Sequence, residues 1–196
     1  MSRVSARIAA SVAIATVFAV TGLSGASAAP ATTTAPTGSL VIQEDNTFLQ
    51  QSASAGIIAV ALPSATVAYN SSTGLSATFP VTGGSASLVG LYGNVQLGGS
   101  LLLVNVWNGS TVVFNNLALS VDNFSVTGVP LGGTAPINLL DTVGVTTKGG
   151  VPQTLQSTDL QVDADGAAYL DTKLKTSFFV SGQHTGTAAL SFTAGS

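Results

Sequence analysis

From Ser39 to its end this chain is a succession of short β-branched and apolar runs, each cut off within a few residues by Gly, Pro, Asn or Ser. "SLVIQ" (39–43), "GIIAVALP" (56–63), "ATVAYN" (65–70) and "LSATFPVTGG" (75–84) are the first of them. Runs of this length, bounded by turn formers, predict strands. The region 85–128 is the densest. There Asn108-Gly109 lies between "LLLVNVW" and "STVVFNNLALSV". Asn-Gly tolerates positive φ at both central turn positions, so it marks a hairpin. On the outgoing arm, Val113, Asn115, Leu117 and Leu119 share one face, opposite Val112, Phe114, Asn116 and Ala118. Neither face is fully polar, so the sheet is expected to be covered for much of its length. Gly90, Gly93, Gly98 and Gly99 predict bulges or close backbone approach.

Two segments depart from this texture. "EDNTFLQQSASAG" (44–56) reads as a short helix behind an acidic cap, or as a loop. "DGAAYLDTKLKTSFF" (165–179) reads as a short helix, with Leu170 and Leu174 one turn apart. "QTLQSTDLQVDADG" (153–166), "FFVSGQ" (178–183) and "TAALSFTA" (187–194) read as strands. The expected fold is all-β: roughly nine to eleven strands in an antiparallel, sandwich-like sheet or open barrel, with one or two short helices, one near 165–175.

The first residues have the three parts of a secretory leader: Arg3 and Arg7, an apolar run from Ile8 to about Val20, and an A-x-A site at Ala26-Ser27-Ala28. The run is short for a membrane span, and an uncleaved anchor is the alternative. Residues 1–28 are therefore expected to be a signal peptide, 29–38 a flexible Pro/Thr/Ala lead-in, and 39–196 one domain. The mature chain keeps Lys148, Lys173 and Lys175 against eight acids, a formal charge of −5. Three lysines cannot neutralise a row of phosphates, which argues against nucleic acid as a partner, and anionic membrane surfaces are disfavoured for the same reason. With no cysteine, disulfides, thiolate zinc sites and thiol catalysis are excluded together. Only 7% of residues are charged and 45% are hydrophobic, the opposite of a disordered chain.

Candidate sites are few. His184 is the single histidine, so any Ser-His-Asp chemistry would have to use it, and no serine sits in G-x-S-x-G. Between Gly182 and Gly186 it reads as a polar residue at a turn or bulge. "DADG" (163–166) partly matches the start of a calcium-binding loop, making Asp163 and Asp165 the candidate metal residues. An Asx turn capping the following helix is the alternative. Trp107, at a strand end, reads as core or rim packing or as a carbohydrate platform. The leader looks bacterial, so the sequons at Asn70, Asn108 and Asn123 read as turn residues.

"GNVQLGGS" (93–100) and "FFVSGQHTGTAALSFT" (178–193), with the cadence of most of 39–193, resemble a diffuse group of secreted bacterial β-rich proteins and, more distantly, the HtaA-type haem-binding domain of cell-envelope proteins. The resemblance implies a secreted β fold and haem as a cofactor. That family holds haem iron through a tyrosine near its start, supported by a histidine. The corresponding segment here carries Phe48, and the "G-H" of the family's strand reads Gly99-Ser100, so no axial ligand carries over. Tyr69, Tyr92 and Tyr169 are the remaining tyrosines.

These readings favour a secreted or cell-envelope, non-enzymatic β domain for surface structure, adhesion or ligand binding, with the cell wall or a second copy of the chain as partner. A carrier of haem or another small apolar ligand is the alternative, and an extracellular hydrolase the second.

Overall fold

The computed structural model describes residues 34–70 and 73–196. The leader, and the lead-in up to residue 33, lie outside the described residues. The elements in chain order are β1 (Thr37–Glu44), α1 (Asn46–Ser54), β2 (Ile57–Leu62), β3 (Thr66–Asn70), β4 (Gly74–Ser87), β5 (Tyr92–Leu97) and β6 (Ser100–Asn105). Then follow β7 (Ser110–Ser120), β8 (Ser125–Pro130), β9 (Ile137–Lys148), β10 (Gln153–Val162), α2 (Ala164–Leu174) and β11 (His184–Thr193). The first strand thus opens two residues ahead of Ser39, and Thr34 is tied to the C-terminus by its N–H donating to the Ser196 carbonyl at 2.7 Å.

All ladders are antiparallel, and eight strands close on themselves in the order β1-β4-β5-β7-β8-β9-β10-β11. The expected sandwich or open barrel is a closed barrel with three added strands. β6 pairs with the first half of β7 and β2 with β6, while β3 pairs with the first half of β4. Closure depends on bulges that bend single strands so that each serves two partners. In β7 the bulge falls at Asn115–Asn116, where Asn116 takes a φ of 49°. Val112 and Phe114 point inward before it, Leu117 and Leu119 after it. This phase switch is why strict alternation put Phe114 and Leu117 on opposite faces. β10 does the same between Ser157 and Leu160. The Ser157 hydroxyl there lies 2.8 Å from the Val143 carbonyl and 2.9 Å from that of Asp159.

The inward rows fuse into one core in which Leu40, Val95, Phe114, Leu119, Leu155, Leu160 and Phe192 lose all solvent contact. Each such side chain contributes about 1.5–3 kcal/mol on leaving water. Where β1 and β11 cross, Gly186 (φ 152°) is required: a Cβ there would lie 2.0 Å from the Gln43 carbonyl oxygen.

The helix expected near 165–175 forms, and the segment left open between helix and loop forms a second one. Asp45 caps α1, accepting from the N–H groups of Thr47 (2.7 Å) and Phe48 (3.2 Å). Asp163 caps α2, accepting from Asp165 (2.7 Å) and Gly166 (3.3 Å). At the other end of α2, the Leu174 carbonyl accepts from the side-chain amides of Asn105 and Asn108, both at 3.0 Å. The Asn108-Gly109 signal does mark a hairpin, between β6 and β7. Its loop has four residues, with Asn105 opposite Ser110 and positive φ at Gly109 alone. "FFVSGQ" is not a strand. It is a looped segment pinned by the Phe179 N–H donating to the Asp171 carboxylate at 3.1 Å.

Candidate functional site: an apolar cavity at the helix-capped end

The ends of β1, β10 and β11 converge with α1, α2 and the 178–183 segment around a cavity of about 130 Å³. The inward row of β1 runs Leu40, Ile42, Glu44 into it, by the two-residue period of a strand. Phe48 reaches it from α1, Leu170 from α2, and Phe179 from the looped segment. Phe114, Leu117 and Leu139 close the far wall, and Ala77 and Phe79 of β4 the near one. Phe178 sits outside, with its ring centroid 5.7 Å from that of Phe48 and 5.0 Å from that of Phe179. The three rings form an aromatic plug.

The added strands contribute to the lining. Ala59 and Ala61 of β2 and Val67 of β3 line the cavity, yet no ladder joins β2 to β3 among the described residues. Each keeps one unpaired edge, since β2 pairs only with β6 and β3 only with β4. These two short edges carry the exposed apolar side chains Ile58, Val60, Val67 and Tyr69.

Two polar side chains face this apolar space. Thr185 is committed: its hydroxyl donates to the Leu160 carbonyl at 2.8 Å. Among the described residues Glu44 is the only charged member of the lining, and its carboxyl has no hydrogen-bond or ionic partner there. Burial pushes that carboxyl above the ordinary carboxylate range, because a charge facing hydrocarbon loses hydration. A cavity of about 130 Å³ is comparable with apolar cavities of about 150 Å³ that stay dry and take up benzene or xenon.

The residues singled out in the sequence lie elsewhere. His184 opens β11, and its Nδ1 lies 2.6 Å from an Asp159 carboxylate oxygen, with 47% of the side chain exposed. The β10 bulge presents Asp159 to it, so the partner that sequence spacing did not reveal is 25 residues away across the ladder. This hydrogen bond holds the Asp159 carboxyl below its usual value, helped by the Gln161 amide. Asp163 spends its carboxylate on the α2 cap and has Asp141, not Asp165, as its acidic neighbour. Desolvation first, and the Asp163 charge second, raise the Asp141 carboxyl. No group of three or more His, Cys, Asp or Glu side chains with metal-site spacing occurs among the described residues.

Trp107 is a rim residue, 71% exposed, with one ring face on Gly56. Tyr69 and Tyr92 are exposed, while Tyr169 packs between Phe114 (5.8 Å) and the Lys173 ammonium (5.4 Å). Sequence reading missed Glu44 and Phe48 as site residues. The usable signal was the run of alternate residues 40, 42 and 44, which carries an acid along an inward face.

No helix among the described residues is long and apolar enough to cross a membrane. No known family model matches the chain, and no curated protein matches its sequence. Solved structures with a similar fold include the C-terminal domain of HtaA from Corynebacterium glutamicum, at 9% identity and a TM-score of 0.50, over 82% of this chain and 99% of that one. The haem-binding protein HtaB of the same organism aligns at 15% identity and a TM-score of 0.45, over 82% of this chain and 94% of that one. The barrel is thus similar in fold to the HtaA C-terminal domain, in line with the distant likeness read in the sequence.

Proposed function

We propose that this chain is a secreted, non-enzymatic bacterial β-barrel domain that carries a small apolar ligand in the cavity at its helix-capped end. The observation that supports the reading is the cavity itself: apolar side chains line it on nearly all sides, Glu44 and Thr185 being the polar members among the described residues. An empty apolar space in a core costs stability, and a ligand of matching size recovers it.

Haem is the first ligand the resemblance suggests, and the lining does not suit it. Among the described residues no imidazole, phenol, thioether or thiol faces the cavity to bind iron. Its volume is also below the roughly 300–1,000 Å³ of sites for larger ligands. The ligand class that matches is an aromatic or branched hydrocarbon body of about one ring. The test is titration with toluene and, separately, haemin, read by methyl NMR shifts and by absorbance. Toluene is expected to shift the Leu and Val methyls around the cavity. A Soret change at micromolar haemin without any toluene response would overturn the reading in favour of a haem carrier.

A second role, self-association or adhesion, is favoured by the exposed apolar side chains of β2 and β3, and concentration-dependent sedimentation tests it. Calcium at Asp163 and Asp165 is a separate proposal, and a thermal shift with calcium that chelator reverses tests it.

A further inference from the structure

From the lining of this cavity we infer that Glu44 selects the ligand's head: the domain takes an apolar body bearing one protonated amine, and rejects carboxylates of the same shape. The inference rests on the carrier reading above and names the ligand class within it.

Three observations carry it. Glu44 ends the inward row that begins at Leu40 and Ile42, so its carboxyl stands where the apolar wall gives way to the plug of Phe48 and Phe179. Among the described residues that carboxyl finds no partner, whereas two other partly buried acids are held locally: Asp159 accepts from the Gln161 amide and pairs with His184, and Asp171 accepts from the Phe179 N–H. Among the described residues no lysine faces the cavity. An unpaired carboxylate at the edge of hydrocarbon is costly to keep and packs worse than a leucine would. It becomes favourable when a bound cation supplies the missing hydrogen bonds, because charge-assisted bonds strengthen where water is excluded. An anionic head would meet the Glu44 carboxylate and, among the described residues of the lining, no cation.

The raised carboxyl of Glu44 agrees with this placement. The side chain stays ionised beside an ammonium group, since an adjacent opposite charge restores the charged form.

The experiment compares three probes with one ring each, benzylamine, toluene and benzoate, by calorimetry and methyl NMR on the wild-type chain and on Glu44→Gln. The expected result is benzylamine bound about tenfold or more tighter than toluene, benzoate bound weakest, and the amine preference falling to about one in the variant. Equal affinity for benzylamine and toluene in the wild type, or a preference for benzoate, would overturn the role of Glu44 while leaving the cavity reading intact. No response to any of the three would overturn both. The wild-type series stands without the variant. For the variant, retention of the preference in a folded Glu44→Gln chain assigns recognition to another group and also defeats the inference.

Discussion

Replacing Ala77 by leucine should make the protein more stable and less able to bind. Ala77 lies on β4 with 8% of its surface exposed, and its methyl faces the cavity. At about 24 cal/mol per Å³, an empty space of about 130 Å³ corresponds to roughly 3 kcal/mol of unrealised packing. Leucine adds three carbons, worth at most about 2.4 kcal/mol at ~0.8 kcal/mol per buried methylene. Adjustment of the Phe79 and Leu117 rotamers takes back about 1 kcal/mol. The net gain of about 1–2 kcal/mol raises the melting temperature by roughly 3–6 °C for a domain of this size. Calorimetry with and without saturating toluene measures both halves of the prediction. Toluene should stabilise the wild type and leave Ala77→Leu unaffected, because the added side chain occupies the same volume. A variant that melts lower than wild type and keeps the toluene shift would refute the reasoning, since the methyl of Ala77 would then not border usable space.

Gly186→Ala should cost more than about 3 kcal/mol in urea denaturation, because its Cβ must displace the β1 backbone at Gln43. Near-wild-type stability would mean that the β1–β11 crossing can relax. Asp163→Ala should lose about 1 kcal/mol through the α2 cap, whereas Asp163→Asn keeps the cap. The Asn variant should also lower the Asp141 carboxyl in an NMR titration, by removing the facing charge. Asp159 is held below its unfolded value, so its bond to His184 stabilises the fold above about pH 4 and is lost as pH falls through the lowered value. Asp159→Asn should therefore flatten the acid limb of the stability curve, and an unchanged limb would show that the pair contributes nothing.

Much of the barrel is legible in the sequence, because strand identity is local. β-branched runs between turn formers mark most of the strands; the helix expected near 165–175 forms, capped by Asp163 rather than by Asp165, and the segment 44–56, left open between helix and loop, holds α1 behind Asp45. The failures have common causes. "FFVSGQ" has strand composition but becomes a plug, because its aromatic rings gain more by packing on Phe48 and the cavity mouth than by joining a ladder. The face assignment in β7 fails at Asn116, because a bulge shifts the phase and no local rule locates a non-glycine residue at positive φ. Asp159 and His184 meet only because the β10–β11 register brings them together across a second bulge.

The sequence by itself determined the class of object: a cysteine-free, acidic, strand-rich domain behind a leader-like segment, poorly equipped for nucleic acid or thiol chemistry. Those properties are sums over residues, or short patterns, and need no partner to be read. Closure of the sheet, the separate pairing of β2 and β3, and the placing of Glu44 against hydrocarbon were decided by tertiary structure. Each depends on which distant strands share hydrogen bonds, and the inward row of β1 became the wall of a cavity only when α1, α2 and β4 closed around it.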